Sequence, residues 1–174
     1  DYHRMADSGI LGENDRVELI DGEILTMSPI GSRHAACVDF LARQLGRTIG
    51  DRVVVRTQNP ILLGDHSEPE PDMSVVELRD DYYASGLPTA GDTLLVIEVA
   101  DATLEYDRRI KLPLYARHGI PEAWLVDLVT NRIEVHREPS PEGYQQHQRF
   151  ENEQRVVSPT FAEIELSADA ILLR

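Results

Sequence analysis

The sequence predicts an α/β fold, bordering on α+β, with a central mixed β-sheet flanked by helices. Three observations carry this. The elements read in the order helix, hairpin, helix, several strands, helix, strands, an alternation that neither an all-helical nor an all-strand chain would show. The run TLLVIEVA at 93–100 is almost continuously apolar, as in a strand covered on both faces. Residues Cys37, Val38, Leu41, Ala42, Leu45 and Ile49 recur at three- and four-residue steps, the spacing of a helix that buries one stripe. With 174 residues and 41% hydrophobic content, the chain supports one core and is read as a single domain over 1–174.

Each element has its own signal. YHRMADSGI at 2–10 shows helical periodicity and is followed by a polar break at 12–15. RVELIDGEILTM places two β-prone runs around Asp21-Gly22, a dipeptide favoured in two-residue hairpin turns. After Pro29 and Gly31, Ser32 is the expected cap of a helix running to about Ile49. RVVVR and NPILL read as strands, HSEPEPD is too rich in proline to be regular, and MSVV resumes a buried strand. The polar stretch 79–92 reads as a loop with at most one helical turn, and 93–100 as the central strand. A second helix is expected over 105–118, with Pro113 kinking it or lying in its first turn, since proline has no amide to donate. AWLVD and RIEVHR form a hairpin about 129–131, Tyr144 to Phe150 pairs with it, and the tail is a loop ending in a capped helical turn.

Composition narrows the function. No run approaches the roughly 20 apolar residues of a membrane span, so the protein is expected to be cytoplasmic with no membrane partner. Cys37 is the only cysteine, which excludes an internal disulfide and a multi-cysteine zinc site; its apolar setting predicts a buried small hydrophobe. The six histidines form no HxH or HExxH, and there is no P-loop, GxGxxG or GxSxG. The net charge of −14 weighs against nucleic-acid binding, which favours a basic footprint. Arg43, Arg47, Arg52 and Arg56 fall close together, a spacing that fits a solvated face better than a phosphate-binding patch. Of 17 basic residues, Lys111 is the only lysine, which points to a place where a compact ammonium works and a guanidinium does not, with chance retention as the alternative.

Among 31 acids, the informative ones interrupt apolar runs. Glu98 lies inside LLVIEVA, where an unpaired carboxylate costs several kcal/mol on general grounds, and so needs a partner. Glu18 breaks VELI, and Asp72 opens the strand that follows Pro71. Structural alternatives are a Glu98 pair with Arg109, a solvated Glu18, a turn-capping Asp72, and a Lys111 pair with Asp107 at helical spacing worth only ~0.3–0.5 kcal/mol. Taken together, three carboxylates and a lysine match what phosphodiester hydrolysis needs: oxygen ligands for a hard divalent cation, and a positive group to orient water and offset developing charge. An Asp on one strand, a Glu 26 residues later and a Lys in reach is similar to the PD-(D/E)XK nuclease pattern.

DRVELIDGEILTMSP, His34, EPDMSVV, LLVIEVADAT and YDRRIKLPLYARHGIPEAWLVD, in that order, resemble the Uma-two family of restriction-endonuclease-like proteins, a match spanning roughly residues 2–137 and on into the tail. The resemblance implies a restriction-endonuclease-like fold and Mg²⁺- or Mn²⁺-dependent cleavage of DNA. It implies Asp72 and Glu98 as the paired acids, Glu18 as a further ligand from the first strand, and the Val99 carbonyl as another. The usual pattern has lysine two residues after the second acid, where this chain has Ala100; the family places it on the following helix, matching Lys111. Tyr115 shares that helical face, with a half-buried packing role as its alternative, and His34 is placed near the cleft or in N-terminal packing. A homodimer would suit a duplex, whose strands are related by twofold symmetry. Two other readings stand beside this one: a non-catalytic nuclease-fold binding module, and a metal-dependent hydrolase of a small phosphorylated substrate.

Overall fold

The computed structural model describes residues 1–12 and 15–174, so the middle of the polar break at 12–15 lies outside the described residues. Helix α1 (Tyr2–Asp7) leads into a hairpin of β1 (Val17–Ile20) and β2 (Glu23–Thr26). At its turn Asp21 and Gly22 both take positive φ, 51° and 84°, the pair of values that an Asp-Gly turn permits. Helix α2 (Ser32–Ile49) then crosses one face of the sheet, burying Cys37, Val38, Leu41, Leu45 and Ile49 as its periodicity predicts. Its cap differs from expectation: Gly31 is the N-cap, and Ser32 is already helical and caps nothing.

The main sheet has six strands in sequential order: β3 (Val53–Thr57), β4 (Met73–Glu77), β5 (Thr93–Ala100), β6 (Glu122–Asp127), β7 (Arg132–Ser140) and β8 (Gly143–Phe150). All pairings are antiparallel except β5 with β6, so the sheet is mixed. That parallel step needs a crossover, supplied by α3 (Leu104–Tyr106), a π-helical turn (Asp107–Lys111) and α4 (Leu112–Arg117). NPILL is not a strand. It makes one isolated bridge, Leu62 to Thr89, because Pro60 cannot donate and the next amides turn to the Pro69, Pro88 and Ser67 carbonyls. The 79–92 loop ends in a 3₁₀ turn (Ala90–Asp92). The tail also holds more order than expected: β9 (Arg155–Val157) pairs with β10 (Glu165–Ser167), followed by α5 (Ala168–Ile171) with Ser167 as N-cap.

Strand alternation separates two apolar layers. Met73, Val75, Leu95, Ile97, Val99, Trp124 and Val126 pack toward α2, whereas Val96, Ala100, Ala123 and Leu125 join Leu112, Leu114, Tyr115 and Ile20 on the other face. Glu98 has the parity of Val96 and Ala100, so it projects into the second layer, under the crossover helix. Among the described residues no helix is long and apolar enough to cross a membrane.

Candidate active site

Four segments bring the acids and the lysine together. The hairpin β1–β2 is held against the 66–70 segment by paired bonds between Leu19 and Glu68 (3.3 and 2.7 Å) and by the Gly22 amide on the His66 carbonyl (2.7 Å). That docking turns Glu18 inward on the same face as Ile20. Asp72 stands at the entrance to β4, Glu98 lies near the end of β5, and the crossover helix brings Lys111 above them. They line one cavity of about 540 Å³, with Glu70, Asp101 and Asp107 as further acids and Arg16 as the other side-chain cation that is always charged.

The Lys111 ammonium sits 3.0 Å from Glu98 Oε1, 3.2 Å from Glu18 Oε2 and 3.1 Å from the Glu70 carbonyl oxygen. All three side chains are almost completely buried, so these contacts act where water screens little. Burial by itself would lower the lysine, but Glu98 and Glu18, with Asp107 and Asp72 behind them, outweigh it and hold the ammonium charged well above the usual range. Burial pushes the Glu98 carboxyl up to about 8, against the pull of Lys111. Asp107 is likewise raised by burial, to about 6, and accepts a 2.6 Å bond from Thr103 Oγ1; it forms no ion pair with Lys111.

Each acid is also gripped by one donor from a helix. Tyr115 donates to Glu98 Oε1 at 2.5 Å, Tyr106 donates to Glu18 Oε1 at 3.0 Å, and His34 Nε2 lies 3.0 Å from Asp72 Oδ2. Backbone amides complete the arrangement: Glu70 donates to Glu18 at 3.1 Å, Asp72 to Glu98 at 3.4 Å, and Val99 to Asp72 at 2.8 Å. The hydrogen bond to Asp72 raises the His34 imidazole despite its burial, and burial together with Glu98 keeps the Tyr115 phenol protonated.

The sequence model of the Uma2 family, described as "Putative restriction endonuclease", matches residues 1–169. The chain belongs to the Uma2 family. A crystal structure described as "a putative nuclease belonging to DUF820", from Anabaena variabilis, superposes with a TM-score of 0.73 at 20% identity over 94% of each chain. At that identity the likeness is one of fold. No curated protein matches the chain.

In this Uma2 chain the structure brings Glu18, Asp72, Glu98, Lys111, Tyr115 and His34 to one place. Two structural alternatives are not met: Glu18 is buried, and Arg109 pairs with the exposed Glu105 and not with Glu98. Val99 contributes its amide to Asp72. Among the described residues no three His, Cys, Asp or Glu side chains stand ready at metal-holding spacing. The reason is visible in the geometry: the ammonium fills the space between Glu18 and Glu98, and Asp72 is turned toward Val99 and His34. Tyr106, Asp107 and Glu70 were not picked out from sequence as parts of the site. For Asp107 the signal was faint, an acid in a helix otherwise rich in charge; for Tyr106 a regular α-helix would have placed it away from Lys111. The arginines at 43, 47, 52 and 56 do not line the cavity.

Proposed function

We propose that this Uma2 protein is a metal-dependent nuclease that hydrolyses phosphodiester bonds of DNA, with Mg²⁺ or Mn²⁺ as cofactor. One observation carries the reading: a buried lysine bridging two buried carboxylates on the floor of a cavity, with a third carboxylate beside them. The donors are carboxylate oxygens, the chemistry a hard divalent cation takes; Glu18, Asp72 and Glu98 with the Val99 carbonyl would hold it once the Lys111 ammonium yields the space between Glu18 and Glu98. When bound, such an ion polarises the scissile phosphate and lowers the pKa of a water.

The cavity's charge supports cation dependence. Glu18, Glu70, Asp72, Asp101 and Asp107 face it against Lys111, Arg16 and His34, so acids outnumber cations even with His34 protonated and Glu98 neutral, and a phosphodiester entering without added positive charge meets repulsion. The chain's own residues then have distinct tasks. Lys111 orients water and offsets charge developing on the phosphate, Tyr115 fixes the Glu98 carboxyl, and His34 fixes Asp72. A twofold dimer would present one such site to each strand of a duplex. The net charge of −14 favours, as a second reading, a small phosphorylated substrate in place of long DNA.

Incubation of plasmid, single-stranded DNA and nucleotide phosphates with Mg²⁺ or Mn²⁺ separates these readings. Cleavage of DNA that falls about 100-fold or more in Glu98→Ala is expected, the scale on which removing one electrostatic stabiliser acts. Wild type and Glu98→Ala behaving alike on every substrate would remove the catalytic reading and leave a binding module.

A further inference from the structure

Two of the three acids are gripped by side chains already expected at the site, Tyr115 and His34; the donor on the third, Tyr106, is not. We infer that Tyr106 is the positioning residue for Glu18, and that the π-helical turn after it exists to put Tyr106 and Lys111 on one carboxylate. The inference rests on the metal-dependent reading of the site.

The geometry of the crossover helix argues this. In a regular α-helix, residues five apart point about 140° away from each other, so Tyr106 and Lys111 would face different sides. In the turn Asp107–Lys111 the Leu112 amide reaches back to the Asp107 carbonyl, five residues away, and the wider turn brings residues i and i+5 nearer to one side. Glu18 therefore receives Tyr106 on Oε1 at 3.0 Å and Lys111 on Oε2 at 3.2 Å. The residues that α-helical spacing would have stacked over Tyr106 point outward instead: the Arg109 side chain is 77% exposed and Ile110 is 41% exposed. Pro113, just past the wider turn, favours it. It cannot donate to the carbonyl four residues back, and its ring would crowd that carbonyl in a tight α-turn. π-turns inside α-helices occur often at functional sites.

The consequence for Glu18 is orientation. Its two oxygens have three donors, Tyr106, Lys111 and the Glu70 amide. Lys111 also serves Glu98, and the amide is fixed in the chain, so Tyr106 is the one side chain dedicated to Glu18. A partner that aims a ligand typically changes metal affinity 10- to 100-fold when lost.

Tyr106→Phe removes only the hydroxyl. Titration of Mn²⁺ alone, followed by electron paramagnetic resonance and calorimetry, is expected to show affinity weakened by about 10-fold or more relative to wild type. Tyr144→Phe is the comparison: its hydroxyl donates to the Ile120 carbonyl at 2.9 Å and does not touch the site. That variant is expected to alter the melting midpoint and leave Mn²⁺ affinity unchanged. Equal Mn²⁺ affinity in Tyr106→Phe and a wild type that binds overturns the positioning role alone. A wild type that binds no Mn²⁺ overturns the metal-dependent function and this inference with it.

Discussion

Lys111→Met tests the centre of the structure directly. Methionine keeps most of the volume and removes the charge, leaving Glu18 and Glu98 buried without their shared partner. Three contacts of 3.0–3.2 Å are lost together. Breaking a buried ion pair from one side typically costs about 3–5 kcal/mol, which in a chain of this length lowers the melting temperature by roughly 6–20 °C. The cost depends on pH. Burial already raises Glu98 to about 8, and without the ammonium that rise is unopposed. A carboxyl with a raised folded pKa contributes stability that is present below its ordinary 4.5 and is lost as pH climbs through the folded value. The variant is therefore expected to be weakened less at pH 5 than at pH 9, since at low pH Glu98 is protonated and needs no counter-charge. Urea denaturation at both pH values, analysed for the midpoint and the slope, measures the difference. A loss below about 1 kcal/mol at both would refute the assignment of Lys111 as the counter-ion of two buried acids.

Two further predictions concern the frame around the site. Glu134 is held down to about 2 by hydrogen bonding to His136, with Arg108 and Arg149 adding to the effect, so it adds stability above pH 4.5 that fades as pH falls toward 2; Glu134→Gln should flatten acid denaturation in that interval, measured by circular dichroism against pH. Glu122 is fully buried and accepts bonds from Trp124 Nε1 (2.6 Å), Ser158 Oγ (2.9 Å) and the Thr160 amide (2.9 Å), joining the sheet to the C-terminal segment; Glu122→Ala strands those donors and is expected to cost about 3 kcal/mol or more in urea unfolding.

Much of this architecture was legible in the linear chain because the signals are local. Asp21-Gly22 permits few turns other than the tight hairpin it makes. The apolar stripe of α2 and the unbroken run of β5 specify, respectively, a helix with one buried side and a strand with two. Glu98 announced itself for the same reason: a carboxylate in that run must find a partner, and a chain with one lysine has few compact ones to offer. NPILL failed as a strand because its amides found nearer acceptors in other loops, which no pattern within the run reveals. The two-stranded β9–β10 pairing was missed because its strands are only three residues each.

Sequence alone determined which residue types were available for chemistry, where the helices and most strands lie, and that Glu98 could not stand unpaired, since each follows from propensity, periodicity or the cost of burying charge. Only the tertiary structure decided that Glu18, 80 residues before Glu98, shares its ammonium, that Asp72 is held by Val99 and His34, and that a π-turn swings Tyr106 onto Glu18. Those are long-range contacts and a change of helical pitch. Hydrophobic pattern fixes which face of an element is buried, but not which partner it meets there.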